Sequence, residues 1–382
     1  MSGFDVSEYQ ARTRRAQALM GKADLDALLL TTEAELRYFT GYLTRFWESP
    51  TRPWFLIVPA NGDPIAVIPS IGAPLMQETW LSDIRTWRSP DCADDGVSLV
   101  IEALRGCVAL GGRIGVPSGR ETHIRLPRDS WTAIVAGLEG RHVTSDALII
   151  QQLRMVKSGA EVAKIRASCA IADRAFARVP EIAGVGAPLD QVFRRFQMLC
   201  LEEGADWVSY LAGGAGPGGY GDIIAPATAQ ALMPGDVLML DTGVVHDGYF
   251  CDFDRNWTVG TAEPKTRDAY ARLIEASDAA FEAAKPGITA ADLFHVMDRV
   301  LTGGAGGSDA GRYGHGLGMQ LTEWPSLIPD DDTVLAPGMV LTLEPSIDVG
   351  EGRGLVHEEN IVVTETGAEY LSTPAPRSLP VI

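Results

Sequence analysis

Four acidic side chains in the C-terminal half of the 382-residue chain lie in runs that are otherwise apolar. Asp241 and Asp252 flank residues 246–248, His-Asp-Gly, a composition typical of a tight turn between two strands. Counting outward from that turn predicts that the two aspartates lie nearly opposite each other, where facing side chains have Cβ atoms about 4.5–5.5 Å apart. The same count around residue 351 predicts that Glu344 faces Glu358.

Opposed carboxylates inside apolar hairpins repel each other, and burying them is costly unless positive charge lies between them. A pair of divalent cations is the simplest neutraliser. His315 lies between glycines, which permit close backbone approach, and supplies an imidazole. Four carboxylates with one imidazole suit manganese, iron, cobalt or zinc, whereas a calcium site would not need the histidine. We therefore expect two metal ions, held by Asp241, Asp252, His315, Glu344 and Glu358.

Strands and helices in the C-terminal half must position these residues. Apolar runs predict strands at residues 236–245, 248–257, 338–348 and 355–364, and helical periodicity predicts helices at 265–284 and 290–301. The half therefore repeats a design of helices followed by a hairpin. The glycine-rich residues 212–221 are interpreted as a flexible loop, because no Lys-Ser/Thr follows them as in a phosphate-binding loop.

The N-terminal part has a different pattern and indicates a separate domain. Strand-like runs at residues 27–31, 54–58, 65–68 and 113–116 alternate with helical patterns at 8–20 and 98–104. Asn61-Gly62-Asp63 predicts a hairpin turn. One long helix is expected from residue 150 to about 179. Because single cores seldom exceed roughly 250–300 residues, we predict two domains, residues 1–152 and 153–382.

Composition excludes several classes of function. A formal net charge of -18 repels nucleic acid and offers no attraction to an anionic membrane surface. The chain has no run of 18 apolar residues and no secretory signal at its start. Its five cysteines are scattered, with no CxxC pair. We expect a cytoplasmic protein with no nucleic acid or membrane partner.

A series of short motifs in a fixed order resembles one known family. The motifs are Leu153-Arg-Met-Val-Lys-Ser-Gly-Ala-Glu161, Asp241-Thr-Gly243, Asp252 with Arg255, Gly314-His-Gly-Leu-Gly318, Thr342-Leu-Glu-Pro345, and Glu358 ahead of Val362-Val-Thr364. Over its whole length the chain resembles the pita-bread metalloenzymes of the creatinase, prolidase and methionine aminopeptidase superfamily. The resemblance implies an α+β fold, with a small N-terminal α/β creatinase-like domain followed by a C-terminal pita-bread domain. It also implies a dinuclear metal centre on the five ligands above, a homodimer, and hydrolysis of a C–N bond.

Two histidines typical of the family's peptidases are absent. Those peptidases carry His-Glu-x-Pro after the metal-binding histidine, where this chain has Thr322-Glu323-Trp324-Pro325. The other position falls near Ile224, in an interval from 143 to 245 that contains no histidine. Asp254 also departs from the family, which usually has threonine there. It is either a carboxylate that supports the metal ligands or a surface residue paired with Arg255.

The leading hypothesis is a metallohydrolase that cleaves an amide, Xaa-Pro-like or amidine bond of a small molecule or dipeptide. Metal-bound hydroxide would attack the carbonyl near neutral pH, Glu358 would accept the proton, and manganese is the expected metal. Tyr313 and Glu323 are candidates to replace the absent histidines, and otherwise brace the loop. The candidate substrate contacts are Tyr220, in the expected mobile loop, Thr322, and His357, although strand alternation directs His357 away from Glu358.

Two other classes of function stay open. A lyase resembling the branch that cleaves dimethylsulfoniopropionate would need no water-shuttling histidine. That branch has a further aspartate near the metals where this chain has Gly243, which counts against it. A non-catalytic binding protein with the same fold is the third possibility, and the intact ligand set argues against it.

Overall fold

The computed structural model describes residues 3–47, 52–305 and 311–382, and the chain divides into two compact units, Met1–Arg154 and Met155–Ile382. The division falls two residues after the boundary expected from the sequence. Within those described ranges, no helix has the length and apolar character needed to cross a membrane.

A six-stranded mixed sheet forms the centre of the first unit, in the order β4-β3-β2-β1-β5-β6. Its strands are β1 Ala27–Leu30, β2 Phe55–Pro59, β3 Ile65–Pro69, β4 Asp83–Trp87, β5 Arg113–Val116 and β6 His142–Ser145. The helices are α1 Val6–Ala23, α2 Glu33–Thr40, α3 Ala73–Met76, α4 Val97–Cys107, α5 Arg128–Gly137 and α6 Ile149–Met155, with a 3₁₀ turn at Ser70–Gly72. The antiparallel pair β2–β3 is the hairpin predicted from Asn61-Gly62-Asp63.

In the second unit, three sheets are accompanied by four helices among the described residues. The helices are α7 Gly159–Ala177, α8 Leu189–Glu202, α9 Pro264–Ala283 and α10 Ala290–Thr302, with a 3₁₀ turn at Val179–Glu181.

One sheet has the order β10-β8-β7, with β9 beside β8; its strands are β7 Trp207–Pro217, β8 Asp236–His246, β9 Tyr249–Phe250 and β10 Phe253–Thr258. The second has the order β12-β11-β13-β16-β17, and its strands are β11 His315–Gly316, β12 Glu323–Ser326, β13 Val340–Leu343, β16 Glu359–Val363 and β17 Ala368–Tyr370. The third is the pair β14 Ser346–Gly350 and β15 Arg353–Val356.

Helices α9 and α10 contribute to one core with the strands that carry the acidic residues. Leu273 of α9 and Leu293 of α10 share a buried cluster with Val237 of β8, Leu341 of β13 and Ile361 of β16. The apolar residues predicted to form helix and hairpin therefore share one core. This packing gives the strands a rigid support.

The single long helix predicted over residues 150–179 is instead two helices, α6 and α7. Between them, the backbone N–H of Lys157 donates to the carbonyl of Gly338 at 2.9 Å. Ser158 then begins α7 with a capping box: its Oγ accepts from the N–H of Glu161 at 3.3 Å, and the Glu161 carboxylate accepts from the N–H of Ser158 at 3.0 Å. The prediction of one helix was wrong because this Ser-x-x-Glu motif satisfies the donors of a new N-terminus.

Most of the glycine-rich stretch at 212–221 is strand, so the prediction of a flexible loop was wrong. It belongs to β7, which pairs antiparallel with β8, and Gly213 lies opposite Leu240. A Cβ atom on Gly213 would lie 2.2 Å from the carbonyl oxygen of Met239, and Gly213 has a φ of +140°. Glycine is needed here because two backbones approach closely, and not because the segment must move.

The turn of the first hairpin determines a register different from the predicted one. His246 pairs with Tyr249, which leaves a two-residue turn of Asp247 and Gly248. Both turn residues have positive φ, 47° and 79°, as a type I′ turn requires. The centre of the hairpin thus lies one residue later than the count from the sequence placed it.

Asp241 therefore pairs with Asp254 and not with Asp252. Asp252 lies in the gap between β9 and β10, outside the ladder. The prediction that Asp241 lies nearly opposite Asp252 was wrong by two residues on the partner strand, because it placed the centre of the hairpin one residue too early.

In the second hairpin the predicted register is confirmed. Leu343 pairs with Glu359 in one ladder, and Ser346 pairs with Val356 in the next. Both pairs are centred on residue 351, so Glu344 and Glu358 lie opposite each other in the gap between the two ladders.

Candidate metal centre

Asp252, His315 and Glu358 form the centre of the candidate site. Each offers one ligand atom, and these three atoms all lie within 4.8 Å of one another. All three side chains are buried. The loop before β10, the start of β11 and the loop before β16 supply one residue each, so the cluster forms only when the two larger sheets of the second unit come together.

The orientation of the His315 ring suits metal binding. Its Nδ1 lies 2.8 Å from the carbonyl oxygen of Gly316, which indicates that Nδ1 carries the proton and donates it. Its Nε2 then presents an unprotonated nitrogen 3.3 Å from Oδ2 of Asp252. Two acceptors at this distance repel unless a cation lies between them, and a histidine whose other nitrogen donates to a carbonyl is typical of metal sites.

Asp241 and Glu344 interact electrostatically with the same cluster. Burial raises the pKa of Asp241 well above its ordinary value, and the charges of Asp252, Asp254 and Glu344 raise it further. Burial also raises the pKa of Glu344 to about 7; the charge of Asp252 adds to this effect, and the positive charge of Arg312 opposes it. The pKa of Glu358 is raised first by burial and then by Asp252, Glu344 and Asp241. All five predicted ligands thus belong to one electrostatic cluster.

Two oxygen atoms of this cluster fit the expected cations. Oδ1 of Asp241 and Oε1 of Glu358 are buried, and no group in the described part of the chain hydrogen-bonds to either atom. A buried, ionised oxygen without a hydrogen bond costs on the order of 1–3 kcal/mol or more. Oxygen and imidazole donors with unused coordination capacity fit divalent transition metals or manganese.

Tyr210 and Arg312 also belong to the site, although sequence reasoning did not identify them. The Tyr210 hydroxyl donates to Oδ2 of Asp241 at 3.0 Å. Burial raises the pKa of Tyr210 far above its ordinary value, and the charges of Asp241 and Asp252 add to this, so it stays a neutral donor. The positive charge of Arg312 opposes the burial that raises the pKa of Asp252. Tyr210 was missed because residues 212–221 were interpreted as a loop, which left its strand without a register.

Asp254 lies inside the site and not at the surface. It is 1% exposed, and its Oδ1 accepts from the backbone N–H of Glu358 at 2.9 Å. The ion-pair partner of Arg255 is the Glu359 carboxylate, at 3.0 Å. Of the two alternatives for Asp254, the structure therefore favours a carboxylate that supports the metal ligands.

The two candidates for replacing the absent histidines have different surroundings. Glu323 forms a buried ion pair with Lys157 at 3.2 Å and accepts from the N–H of Met319 at 2.9 Å. Tyr313 is fully buried, and its ring stacks on Phe294 of α10 with centroids 4.8 Å apart. Both side chains therefore brace the segment around His315, and neither joins the three-ligand cluster.

The Tyr220 side chain is not part of a mobile lid. It is 2% exposed, and its hydroxyl donates to Oδ1 of Asn256 at 3.1 Å and accepts from the N–H of Val356 at 2.6 Å. A closing motion would break these buried hydrogen bonds. The expectation of a mobile loop at Tyr220 was therefore wrong.

Thr322 and His357, the other two candidate substrate contacts, lie in different environments. Oγ1 of Thr322 accepts from Nη2 of Arg312 at 3.4 Å. His357 is buried between Asp254, at 3.5 Å, and Glu359, at 3.4 Å. Burial lowers the pKa of His357, but its interactions with these two carboxylates outweigh that effect and raise the pKa to about 8. Thr322 therefore contacts the positively charged side chain of Arg312, whereas His357 lies between two buried carboxylates behind the candidate ligands.

Comparison with known families matches nearly the whole chain. The family model described as metallopeptidase family M24 matches residues 163–365, and that of the creatinase/prolidase N-terminal domain matches residues 12–156. The chain is 30% identical over 370 residues to a probable dipeptidase PepE of Mycobacterium tuberculosis, covering 96% of this chain and 94% of the relative. It is 32% identical over 231 residues to an Xaa-Pro dipeptidase of Pyrococcus furiosus, covering 59% of this chain and 65% of that one.

Solved structures have the same fold. The crystal structure of dipeptidase PepE from Mycobacterium ulcerans superposes with a TM-score of 0.84 at 29% identity, covering 100% of this chain and 99% of that chain. The prolidase from Pyrococcus horikoshii superposes with a TM-score of 0.81, covering 97% and 100%, and its 23% identity supports the fold alone.

Proposed function

The chain belongs to metallopeptidase family M24 and carries a creatinase/prolidase N-terminal domain, and on this premise we propose that it is a two-metal dipeptidase acting on Xaa-Pro-like or similar small peptides. The resemblance and the α+β fold class inferred from the motifs are confirmed by the same matches, and the protein is a metallohydrolase. The metal number, the metal identity and the substrate belong to the proposal.

One observation carries the proposal: the candidate ligands form a buried acidic cluster that lacks sufficient positive charge of its own. Asp252, His315 and Glu358 offer ligand atoms within 4.8 Å of one another. The pKa of Glu358 is raised by burial and by the nearby charges of Asp252, Glu344 and Asp241. A binding protein without metal would have no need to retain so costly an arrangement.

Asp241, Asp252, His315, Glu344 and Glu358 would hold the two ions, with manganese as the expected metal and iron, cobalt or zinc as alternatives. Bound there, the ions would polarise the scissile carbonyl and make water a nucleophile near neutral pH. The protein's own groups must then orient the substrate and accept the proton.

Glu358 is the proposed proton acceptor. Its Oε1 has no hydrogen-bond partner among the described residues, so no protein donor competes with a cation or a proton for this oxygen. Its backbone N–H donates to Asp254 at 2.9 Å, which holds the backbone from which the carboxylate extends. Burial of the site excludes bulk water from this proton transfer.

On the substrate side we propose Tyr210, Thr322 and Arg312. Tyr210 keeps a neutral hydroxyl 3.0 Å from Asp241, where it orients that carboxylate. Arg312 is partly exposed and hydrogen-bonds to Thr322, and its charge suits the free carboxylate of a dipeptide. Glu323 and Tyr313 are proposed to brace the segment that carries His315, and His357 and Tyr220 to support the ligands from within.

The homodimer and the cytoplasmic location are further parts of the proposal. The family resemblance supports the dimer, which sedimentation equilibrium tests directly. All five cysteines are free thiols, which suits a reducing compartment.

The experiment is a substrate panel on metal-controlled protein. The enzyme is dialysed against chelator, reloaded with Mn²⁺, and assayed on Xaa-Pro dipeptides, other dipeptides, creatine-like amidines and dimethylsulfoniopropionate. We expect dipeptide hydrolysis that depends on metal and is lost in Asp252→Ala, because that variant lacks a proposed metal ligand. Turnover of dimethylsulfoniopropionate alone would replace the proposal with a lyase. Full metal occupancy with no turnover of any substrate would favour a binding protein.

A further inference from the structure

Two of the candidate ligands lie just before neighbouring strands that belong to different sheets. Asp252 precedes β10, and Glu358 precedes β16. β10 belongs to the β10-β8-β7 sheet and β16 to the β12-β11-β13-β16-β17 sheet, so no ladder fixes their spacing. Something else must hold two like charges together.

A side chain from β16 holds the backbone at Asp252. Oδ1 of Asn360 accepts from the N–H of Asp252 at 3.0 Å, and Nδ2 of Asn360 donates to the carbonyl of Asp252. Asn360 is fully buried, and its own N–H donates to the hydroxyl of Ser372 at 3.0 Å. One amide thus holds both backbone groups of a candidate ligand.

Side chains from β10 hold the backbone at Glu358 in the same way. The N–H of Glu358 donates to Oδ1 of Asp254 at 2.9 Å, and Nη1 of Arg255 donates to the carbonyl of Glu358 at 3.1 Å. Asp254 is 1% exposed and Arg255 8% exposed. Side chains of each strand therefore hydrogen-bond to the backbone of the candidate ligand that precedes the other strand.

We propose that Asn360, Asp254 and Arg255 form a reciprocal clamp that fixes the spacing of Asp252 and Glu358 before metal binds. These three are positioning residues, because they touch the backbone of the ligands and not the reacting atoms. The inference rests on the proposed function, since it assumes that Asp252 and Glu358 bind metal. It goes further in naming what sets the affinity of the site.

Energetics support this role. The repulsion between the buried carboxylates acts to separate the two sheets. The buried hydrogen bonds made by Asn360, Asp254 and Arg255 oppose that separation. A site preorganised in this way loses less of its metal-binding free energy to reorganisation. Residues that hydrogen-bond to metal ligands without binding the metal typically change metal affinity by about 10- to 100-fold.

The charges of the clamp are compensated locally. His357 lies between Asp254 and Glu359, at 3.5 and 3.4 Å, and Glu359 pairs with Arg255 at 3.0 Å. Negative and positive groups alternate along this buried chain. Asp254 can therefore remain beside the metal ligands at a lower cost than an isolated carboxylate.

The test is Mn²⁺ affinity, measured by isothermal titration calorimetry on the full-length protein. Asn360→Leu removes the amide without changing charge, and Asp254→Leu removes both charge and acceptor. Asp254→Asn removes the charge but keeps an oxygen for the N–H of Glu358. We expect the two Leu variants to bind Mn²⁺ about 10- to 100-fold more weakly. The Asp254→Asn variant should stay within about threefold of wild type.

Tyr249→Phe is the matched control. It removes a buried hydrogen bond to Glu161, of 2.9 Å, that touches no candidate ligand. Its unfolding temperature should fall while its Mn²⁺ affinity does not. If the Leu variants do not fold, Asn360→Ser, whose side chain is too short to reach both backbone groups, takes their place with the same expected weakening.

The outcomes separate the two proposals. A wild-type protein that binds no Mn²⁺ would overturn the proposed function itself. A wild type that binds Mn²⁺ with the same affinity as Asn360→Leu, or Asn360→Ser in its place, would overturn the clamp alone. Equal weakening in Asp254→Asn and Asp254→Leu would assign the effect to charge and also contradict the clamp at Asp254.

Discussion

At the scale of single residues, some buried carboxylate oxygens of this site accept no hydrogen bond from the protein groups described. Oε1 of Glu358 and Oδ1 of Asp241 have no hydrogen-bond partner among residues 3–47, 52–305 and 311–382, while Oδ2 of Asp241 accepts from Tyr210 at 3.0 Å. A carboxylate oxygen without a donor is available for a cation or a proton. The sharpest tests are therefore substitutions that keep the shape of the side chain and change only its ability to bind a cation or a proton, or to donate to such an oxygen.

Glu358→Gln should abolish turnover while leaving the fold intact. Glutamine keeps the size of the side chain and the backbone hydrogen bonds, but it cannot accept a proton. We expect kcat to fall by several orders of magnitude, roughly 10²–10⁴-fold from the proton transfer alone. Steady-state kinetics and circular dichroism on the Mn²⁺-loaded protein check this. Glu369→Gln, at an exposed ion pair with Arg166, is the control. An unaltered rate in Glu358→Gln would remove Glu358 from the mechanism.

Tyr210→Phe should weaken metal binding with little effect on stability. It removes the hydroxyl that donates to Oδ2 of Asp241, so the carboxylate loses a contact that orients it. We expect Mn²⁺ affinity and kcat each to fall about 10-fold. Calorimetry and kinetics measure the two effects, with Tyr249→Phe as control. Wild-type values for both quantities would show that the hydroxyl does not position Asp241.

At the scale of elements, the close backbone approach of β7 to β8 determines where a side chain of the site lies. The strand carries Tyr210, and it can lie against β8 only because glycine occupies the position opposite Leu240. A Cβ at Gly213 would lie 2.2 Å from a carbonyl oxygen of β8. The glycines of this stretch thus determine the position of a side chain in the site.

Gly213→Ala should destabilise the protein by about 3 kcal/mol, because it combines a backbone clash with a φ that alanine rarely adopts. Chemical denaturation measures the loss. Gly184→Ala is the control, because a Cβ there would have no heavy atom within 4 Å. We also expect reduced activity in Gly213→Ala, because β7 would shift. Equal stability of the two variants would contradict the close-approach argument.

At the scale of the whole molecule, all the candidate ligands lie in the second unit, in segments widely separated along the chain. Folding gathers their charges whether or not metal is present. The metal-free protein must therefore hold protons in place of cations, and its stability must depend on pH.

Without metal, stability should decrease as pH rises from about 5 to 8. The pKa of Glu344 is about 7 in the folded protein and 4.5 as an ordinary glutamate. Between these values the folded state binds more protons than the unfolded state, so this stabilising contribution is complete below the lower pKa and lost through the upper one. The expected loss is on the order of a few kcal/mol.

Urea unfolding in chelator at pH 5 and pH 8 measures this effect, and saturating Mn²⁺ should restore the stability lost at pH 8. Glu344→Gln should reduce the dependence on pH, which separates the site from the general effect of net charge. A metal-free protein that becomes more stable towards pH 8 would contradict the prediction.

The sequence by itself determined the features that depend on local order. The five candidate ligands, the family, and the register of the second hairpin could be inferred because motif spacing and turn symmetry are properties of contiguous residues. The predicted elements of the first unit and the helices α9 and α10 follow from periodicity for the same reason. Where local signals compete, as at the Ser158 capping box and the I′ turn at Asp247-Gly248, the sequence carried the information but the prediction misassigned it.

Only the tertiary structure decided what lies between elements. That Gly213 is strand, that Tyr210 reaches Asp241, and that Asn360 grips Asp252 all depend on which strands become neighbours. No spacing along the chain encodes a contact between two sheets, because each such contact is determined by packing of the core as a whole. Candidate metal ligands can be proposed from local motifs, whereas the side chains that position them are found only once the strands are in place.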